Sequence, residues 1–278
     1  MSLAAFLSRH AERGTILVRI ERAEGSTPRE AGATMAVSAQ EMAGTIGGGQ
    51  LEFHCIDTAR EMLAGGLHER ALDIPLGPQM GQCCGGRVRV VLKRARAVDI
   101  AMLTARDKAE LAARPTILIF GAGHTGRALA RALAPLPFAT TLIDDRDGVL
   151  DGLPAAISCL RMADPVGAVE EARPGTAFVI LSHSHALDYR LAEAALARGD
   201  GSYVGMIGSA TKRGRFVAGF LRDGGRREAL ARLTCPIGGD DVDDKRPEVI
   251  AALTAAELVR CLLGERRTVS VAGETAGA

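Results

Sequence analysis

The stretch PTILIFGAGHTGRALARAL, residues 115–133, constrains the fold of this chain more than any other. An apolar run over 116–120 leads directly into GAGHTG at 121–126, and a helical apolar pattern follows. Gly-x-Gly-x-x-Gly between a strand and a helix is the turn that opens a dinucleotide-binding βαβ unit. Gly121 permits the tight turn, Gly123 lets a phosphate approach the backbone, and Gly126 lets helix and strand pack closely. The N-terminus of such a helix offers N–H groups and a positive dipole end to an anion. The next strand, in FATTLIDDRDG, ends in Asp144, where a carboxylate would bind ribose hydroxyls. The strand–turn–helix pattern returns in TAFVILSHSHALDYRLAEAALARG and in SYVGMIGSATKRGRFVAGFLRDGG, with AISCLRM as a further short strand. This series predicts an α/β fold with a Rossmann-like parallel sheet over 115–278, including a long helix at 246–267. The fold alone does not choose a ligand. His124, inside the turn, reads as a packing residue or phosphate-side donor rather than a catalytic base.

Residues 1–94 read differently. A short amphipathic helix at 3–11 precedes strands in GTILVRIERAEG and GATMAVS, a Gly-rich turn in EMAGTIGGG, a helix at 50–66, and strands in ERALDIPLG and GRVRVVLKRA. The last alternates Val88, Val90 and Leu92 with Arg87, Arg89 and Lys93, the period of a half-buried strand. This predicts a smaller α/β or α+β domain, followed by a helical linker at 95–114. Three of its turns are unusual. EGSTPREAG carries Ser26, Thr27 and Arg29, and Arg29 suits a bidentate contact to phosphate or carboxylate. GTIGGGQLEFHC places Gly47, Gly48 and Gly49 before a helix with Glu52 in its first turn, a backbone pattern resembling an anion nest. GQCCGGRV sets Cys83 and Cys84 among glycines at 81, 85 and 86. Any one of these could be a structural turn. Three in one short domain point to a ligand site. A thiolate is a soft ligand for a metal such as molybdenum, or an acceptor of sulfane sulfur.

Composition removes several classes. With 34 basic and 33 acidic side chains the formal charge is +1, which gives no footprint for nucleic acid or an anionic membrane. No apolar run reaches the roughly 18–20 residues of a membrane span. The start lacks the features of a secretion signal, so a cytoplasmic protein is expected. The six cysteines include no Cys-x-x-Cys, which argues against a structural zinc site and a disulfide framework. Cys55, Cys159 and Cys261 read as buried filler, and Cys235, in TCPIGG, suits either a site or just a tight chain reversal. His183 and His185 after a strand could hold zinc or iron, or cap the following helix with Asp188 in its first turn. Asp240, Asp241, Asp243 and Asp244 read as a solvated acidic loop rather than a cation site.

The ordered set EGSTPREAGATMAV, GTIGGGQLE, GQCCGGRV, ILIFGAGHTGRALA, LIDDRDG, LSHSHALDYRLAEAAL, YVGMIGSATKRGRF, TCPIGG and RPEVIAALTAAEL resembles the xanthine dehydrogenase accessory protein family across nearly the whole chain. Departures fall at Ser184, where an acidic residue is common, and in GGDDVDDKRP after the TCPIG turn. The resemblance implies a chaperone rather than an enzyme. Such a protein binds molybdenum cofactor (Mo-molybdopterin) transiently after receiving it from biosynthesis proteins. It protects the cofactor while a cysteine desulfurase supplies a terminal sulfido ligand, and delivers it to apo xanthine dehydrogenase, acting as a homodimer. Arg29, Gly47–Gly49, Glu52, Cys83, Cys84, Gly121, Gly123, His124, Gly126 and Asp144 are the candidate cofactor-binding residues, with Cys83 and Cys84 toward the metal. Two other readings rest on the residues alone. One is an NAD-dependent oxidoreductase using the 121–126 turn, Asp144 and His124. The other is a nucleotide-binding or nucleotidyl-transfer protein that uses magnesium.

Overall fold

The computed structural model describes residues 2–77 and 85–264. The chain divides into two compact units, Met1–Ala113 and Arg114–Ala278. In the first, α1 (Leu3–Arg9), β1 (Ile16–Glu24), β2 (Thr34–Val37), β3 (Met42–Gly44), α2 (Gly49–Ala64), β4 (Glu69–Pro75), β5 (Arg87–Arg94) and α3 (Ala97–Ala113) follow in order. Its five strands form an antiparallel sheet ordered β3-β2-β1-β5-β4. Alternation decides the two faces. Ile16, Val18 and Ile20 of β1 and Val88, Val90 and Leu92 of β5 are buried in one core with Leu51, Cys55, Ala59 and Met62 of α2. The alternate residues Leu17 and Ala36 meet Phe6 and Leu7 of α1 and Ile100 and Leu103 of α3. The stretch read as a helical linker, 95–114, holds α3, which packs against α1 within the first unit.

The β1–β5 ladder shifts register between Ile20 and Arg22 and then runs on to pair Glu24 with Arg87. Beyond that pair the two strands cross at glycines. A Cβ on Gly25 would lie 3.2 Å from Gly86 Cα, and one on Gly86 would collide with the carbonyl oxygens of Glu24 and Ser26. Only glycine fits at 86, whatever its dihedral angles.

The second unit contains β6 (Thr116–Phe120), α4 (His124–Leu133), β7 (Ala139–Asp144), β8 (Ser158–Arg161), α5 (Val166–Glu170), β9 (Ala177–Ile180), α6 (His185–Arg198), β10 (Tyr203–Met206), α7 (Ala210–Arg222), β11 (Leu233–Thr234) and α8 (Pro247–Leu263). Its six strands are all parallel, in the order β11-β10-β9-β6-β7-β8. The chain winds outward from β6 through β7 to β8. It then crosses to β9 and winds the other way, which makes the carboxyl ends of β6 and β9 the topological switch point. One face is covered by α4 and α8, with Leu129, Leu133, Ala251 and Leu258 in the core. The other is covered by α6 and α7, with Leu191, Ala195, Phe216 and Phe220. β9 is buried at all four residues, the continuous apolar strand expected when helices cover both faces. This is the Rossmann-like sheet read from the sequence. No helix among the described residues is long and apolar enough to cross a membrane.

Two cysteines depart from expectation. Cys159 and Cys261 are exposed, while Cys55 and Cys235 are buried. Cys159 sits on the edge strand β8, none of whose residues is covered. Cys261 lies in the last turn of α8 with its Sγ 3.2 Å from the Ser202 carbonyl.

Candidate functional site

In the first unit the unusual turns meet at one end of the sheet. Gly25 and Gly86 touch as described, and a Cβ on Gly47 would lie 2.7 Å from Pro28 Cγ and 3.6 Å from Arg29 Cγ. Residues 24–29 thus lie against Gly86 on one side and Gly47 on the other. Cys83 and Cys84 lie outside the described residues; of their motif only Gly85–Val88 is placed. Arg87 and Arg89 are engaged at the sheet surface, with Asp73 at 2.6 Å and Glu21 at 2.7 Å. Gly47, Gly48 and Gly49 all have positive φ (127°, 78° and 65°), a backbone that side chains disfavour. Gly48 is the N-cap of α2 and supplies no side-chain cap. The Thr45 hydroxyl accepts from Gly47 N–H at 3.1 Å and donates to Glu52 Oε2 at 3.1 Å. Glu52 is 8% exposed. Its carboxylate adds to the effect of burial on the neighbouring Cys55 thiol, which is pushed up to about 12. Arg29 is exposed and makes no hydrogen bond or ion pair to the described residues.

In the second unit the turn at 121–126 has the expected shape. Gly121 has φ 114° and packs against the backbone of Leu181 and Ser182, and a side chain at Gly126 would strike the Gly121 carbonyl. Gly123 is the N-cap of α4, with open space where a Cβ would be and no side-chain cap. His124 is exposed at the first position of α4. Across the switch point, the His183 Nδ1 is 3.9 Å from Asp145 Oδ1, with both side chains partly exposed.

Asp144 ends β7 as the sequence predicts, but its carboxylate is occupied by its own chain. Ala122 N–H donates to Oδ2 at 2.6 Å, and Arg146 donates its backbone N–H and Nε to Oδ1 and its Nη2 to Oδ2. Burial alone would push this carboxyl up. The hydrogen bonds from Arg146 and Ala122 outweigh it and hold the group well below the usual carboxylate range. No acceptor position remains for a ribose diol. The sequence reading missed Arg146, although an arginine two residues after the strand's last acid was a visible signal.

A second buried acid is filled in the same manner. Asp188 is 1% exposed; its Oδ1 accepts from the N–H and hydroxyl of Ser182 at 2.9 and 2.7 Å, and its Oδ2 accepts from Lys212 Nζ at 2.5 Å. This pair, not read from the sequence, ties the first turn of α6 to the first turn of α7. Ser184, rather than either histidine, caps α6 by accepting from Leu187 N–H. No three His, Cys, Asp or Glu side chains converge as a metal site among the described residues. Asp244 of the acidic run is engaged by Arg246.

The fold and these turns define a class: a two-unit protein in which an antiparallel sheet domain with glycine turns precedes a Rossmann-type sheet whose ribose-side acid is filled from within. Residues 117–258 match the XdhC Rossmann domain, and residues 8–72 match the XdhC and CoxI family. The chain belongs to the XdhC family. It is 26% identical over 259 residues to the uncharacterized protein YqeB of Escherichia coli K12, covering 88% of this chain and 43% of that one. It thus spans less than half the length of that relative. A solved structure described as a xanthine dehydrogenase from Bacillus halodurans superposes with a TM-score of 0.78 over 98% of both chains at 18% identity, a likeness of fold.

Proposed function

We propose that this protein holds molybdenum cofactor and passes it to apo xanthine dehydrogenase, working by binding and handover rather than turnover. The observation that carries this is the meeting of residues 24–29, 44–49 and 85–86 at one end of the first unit's sheet, in a chain of the XdhC family. The cofactor is a phosphorylated pterin whose dithiolene holds molybdenum, and when bound it supplies the redox centre of the client enzyme. The residues present fit such a molecule chemically. Arg29 offers a cation without a partner in the described chain, the Gly48 turn offers backbone without a side chain of its own, and Glu52 offers an acceptor beside it. Cys83 and Cys84 would provide soft donors toward the metal, and the cysteine desulfurase would act on the held cofactor. Biosynthesis proteins upstream and a second copy of the chain complete the set of partners in this reading, and its setting is the cytoplasm. Gly121, Gly123, His124 and Gly126 provide the second place where a phosphate could rest, at the uncapped start of α4. An NAD-dependent oxidoreductase has less support, because Asp144 is engaged by Arg146 and Ala122.

The test is to purify the full chain anaerobically from cells that make the cofactor. Molybdenum and pterin are then measured together, in the wild type and in Cys83→Ala and Cys84→Ala. Near-equal molybdenum and pterin, lost in one variant, is the expected result. Neither metal nor pterin in the wild type would overturn the reading.

A further inference from the structure

Glu52 is a buried carboxylate whose environment is incomplete. An ionised carboxylate accepts up to about four hydrogen bonds, and burying one without a cation is costly. In the described structure Glu52 receives one, from the neutral Thr45 hydroxyl, and no Lys, Arg or His forms an ion pair with it. Its Oε1 has no partner among the described residues, yet it is not among the atoms sealed from solvent. A role as the helix cap does not account for it. No α2 N–H bonds to it, and Thr45 serves Gly47 instead. The carboxylate is aimed at the glycine turn: where a Cβ would stand on Gly48, the sole described atom within 4 Å is Glu52 Oε2, at 3.8 Å. The φ of 78° at Gly48 keeps side chains away from that space.

A buried negative charge at the floor of this turn sets the chemistry of what enters. It repels phosphate, so the turn does not act as the anion nest its glycines suggest. It attracts a group presenting N–H donors in one plane. Resting on the cofactor reading above, we infer that Glu52 reads the 2-amino-4-oxopyrimidine edge of a pterin, accepting from the ring N–H and the exocyclic amino group. Thr45 orients the carboxylate through Oε2. The phosphate end of the same ligand then lies away from Glu52, toward Arg29 or another cation.

The experiment is equilibrium binding of free pterin to the full-length protein, followed by pterin fluorescence. Lumazine, which carries a 2-oxo group in place of the 2-amino group, and GMP, which carries the same edge on a purine, are measured in parallel. The wild type is expected to bind pterin at least about tenfold more tightly than lumazine and no less tightly than GMP, and Glu52→Gln to lose about tenfold or more while melting at the wild-type temperature. Should Glu52→Gln fail to fold, Thr45→Val provides the second variant, with weakened pterin binding expected. Pterin binding that is undetectable, unchanged in both variants, or equalled by lumazine overturns the inference. Preference for GMP overturns it in favour of a guanine nucleotide. The two failures separate: a protein that carries cofactor from cells but binds pterin independently of Glu52 keeps the cofactor reading and loses this one.

Discussion

The two glycine turns look alike in sequence and differ in what their acids do. Each opens a helix, and each has a carboxylate nearby: Glu52 in the first unit, Asp144 in the second. Asp144 is saturated by an arginine and a loop N–H. Asp188, the other buried acid of the Rossmann-like unit, is saturated by Lys212 and Ser182. Glu52 is held by one hydroxyl. A buried carboxylate supplied with cations by its own chain contributes to loop geometry. One left without them is poised for something that arrives from outside. The second unit thus commits both of these acids to architecture, and in the reading proposed above the first unit keeps one for recognition.

The largest effect should come from Lys212→Met. It leaves Asp188 buried without its cation, and a loss of about 3–5 kcal/mol in denaturant unfolding is expected. A loss under about 1 kcal/mol would mean that the pair does not hold the two helix starts together. Next, Gly126→Ala should cost about 1–3 kcal/mol or more, since its Cβ would meet the Gly121 carbonyl, while Gly123→Ala in the same turn points into open space and should cost under about 1 kcal/mol. Equal melting temperatures for the two would contradict the packing described here.

A pH series tests the Asp144 half of the comparison. Its folded-state value lies below the unfolded one, so the stabilisation is fully present above roughly pH 4 and is lost as pH falls through the folded value. Acid titration of unfolding free energy should show this fall, and Asp144→Asn should be less stable at neutral pH with a shallower slope in the acid range. Slopes that coincide would show Asp144 to be no better held in the fold than in the unfolded chain. The smallest effect is expected for Glu52→Gln, which can still accept from Thr45: unfolding free energy within about 1 kcal/mol of wild type. A large loss would make Glu52 an architectural acid like the others and erase the contrast between the units.

Much of the fold was legible because it rests on local periodicity. Continuous apolar runs at 116–120 and 177–180 announce strands covered on both faces. The alternation of Val88, Val90 and Leu92 with Arg87, Arg89 and Lys93 announces a sheet with one core face. Glycine positions were legible for the same reason, since a tight turn and a close backbone approach are properties of short segments. The fate of each acid was not. Asp144 and Glu52 both follow the pattern of a carboxylate near a glycine turn, and their difference depends on where Arg146 folds back and on the lack, among the described residues, of any such cation paired with Glu52. The pairing of Asp188 with Lys212, and the exposure of Cys159 and Cys261, likewise depend on which elements end up adjacent and which lie at an edge.

The sequence by itself therefore determined the α/β class, the parallel winding of the Rossmann-like sheet, and the positions of its tight glycine turns. These follow from side-chain periodicity and from the steric freedom of glycine, which act over a few residues. The tertiary structure alone decided which turns stand together and which charges are already answered. Those outcomes depend on contacts between residues far apart in the chain, and a buried carboxylate's role is set by the donors that reach it.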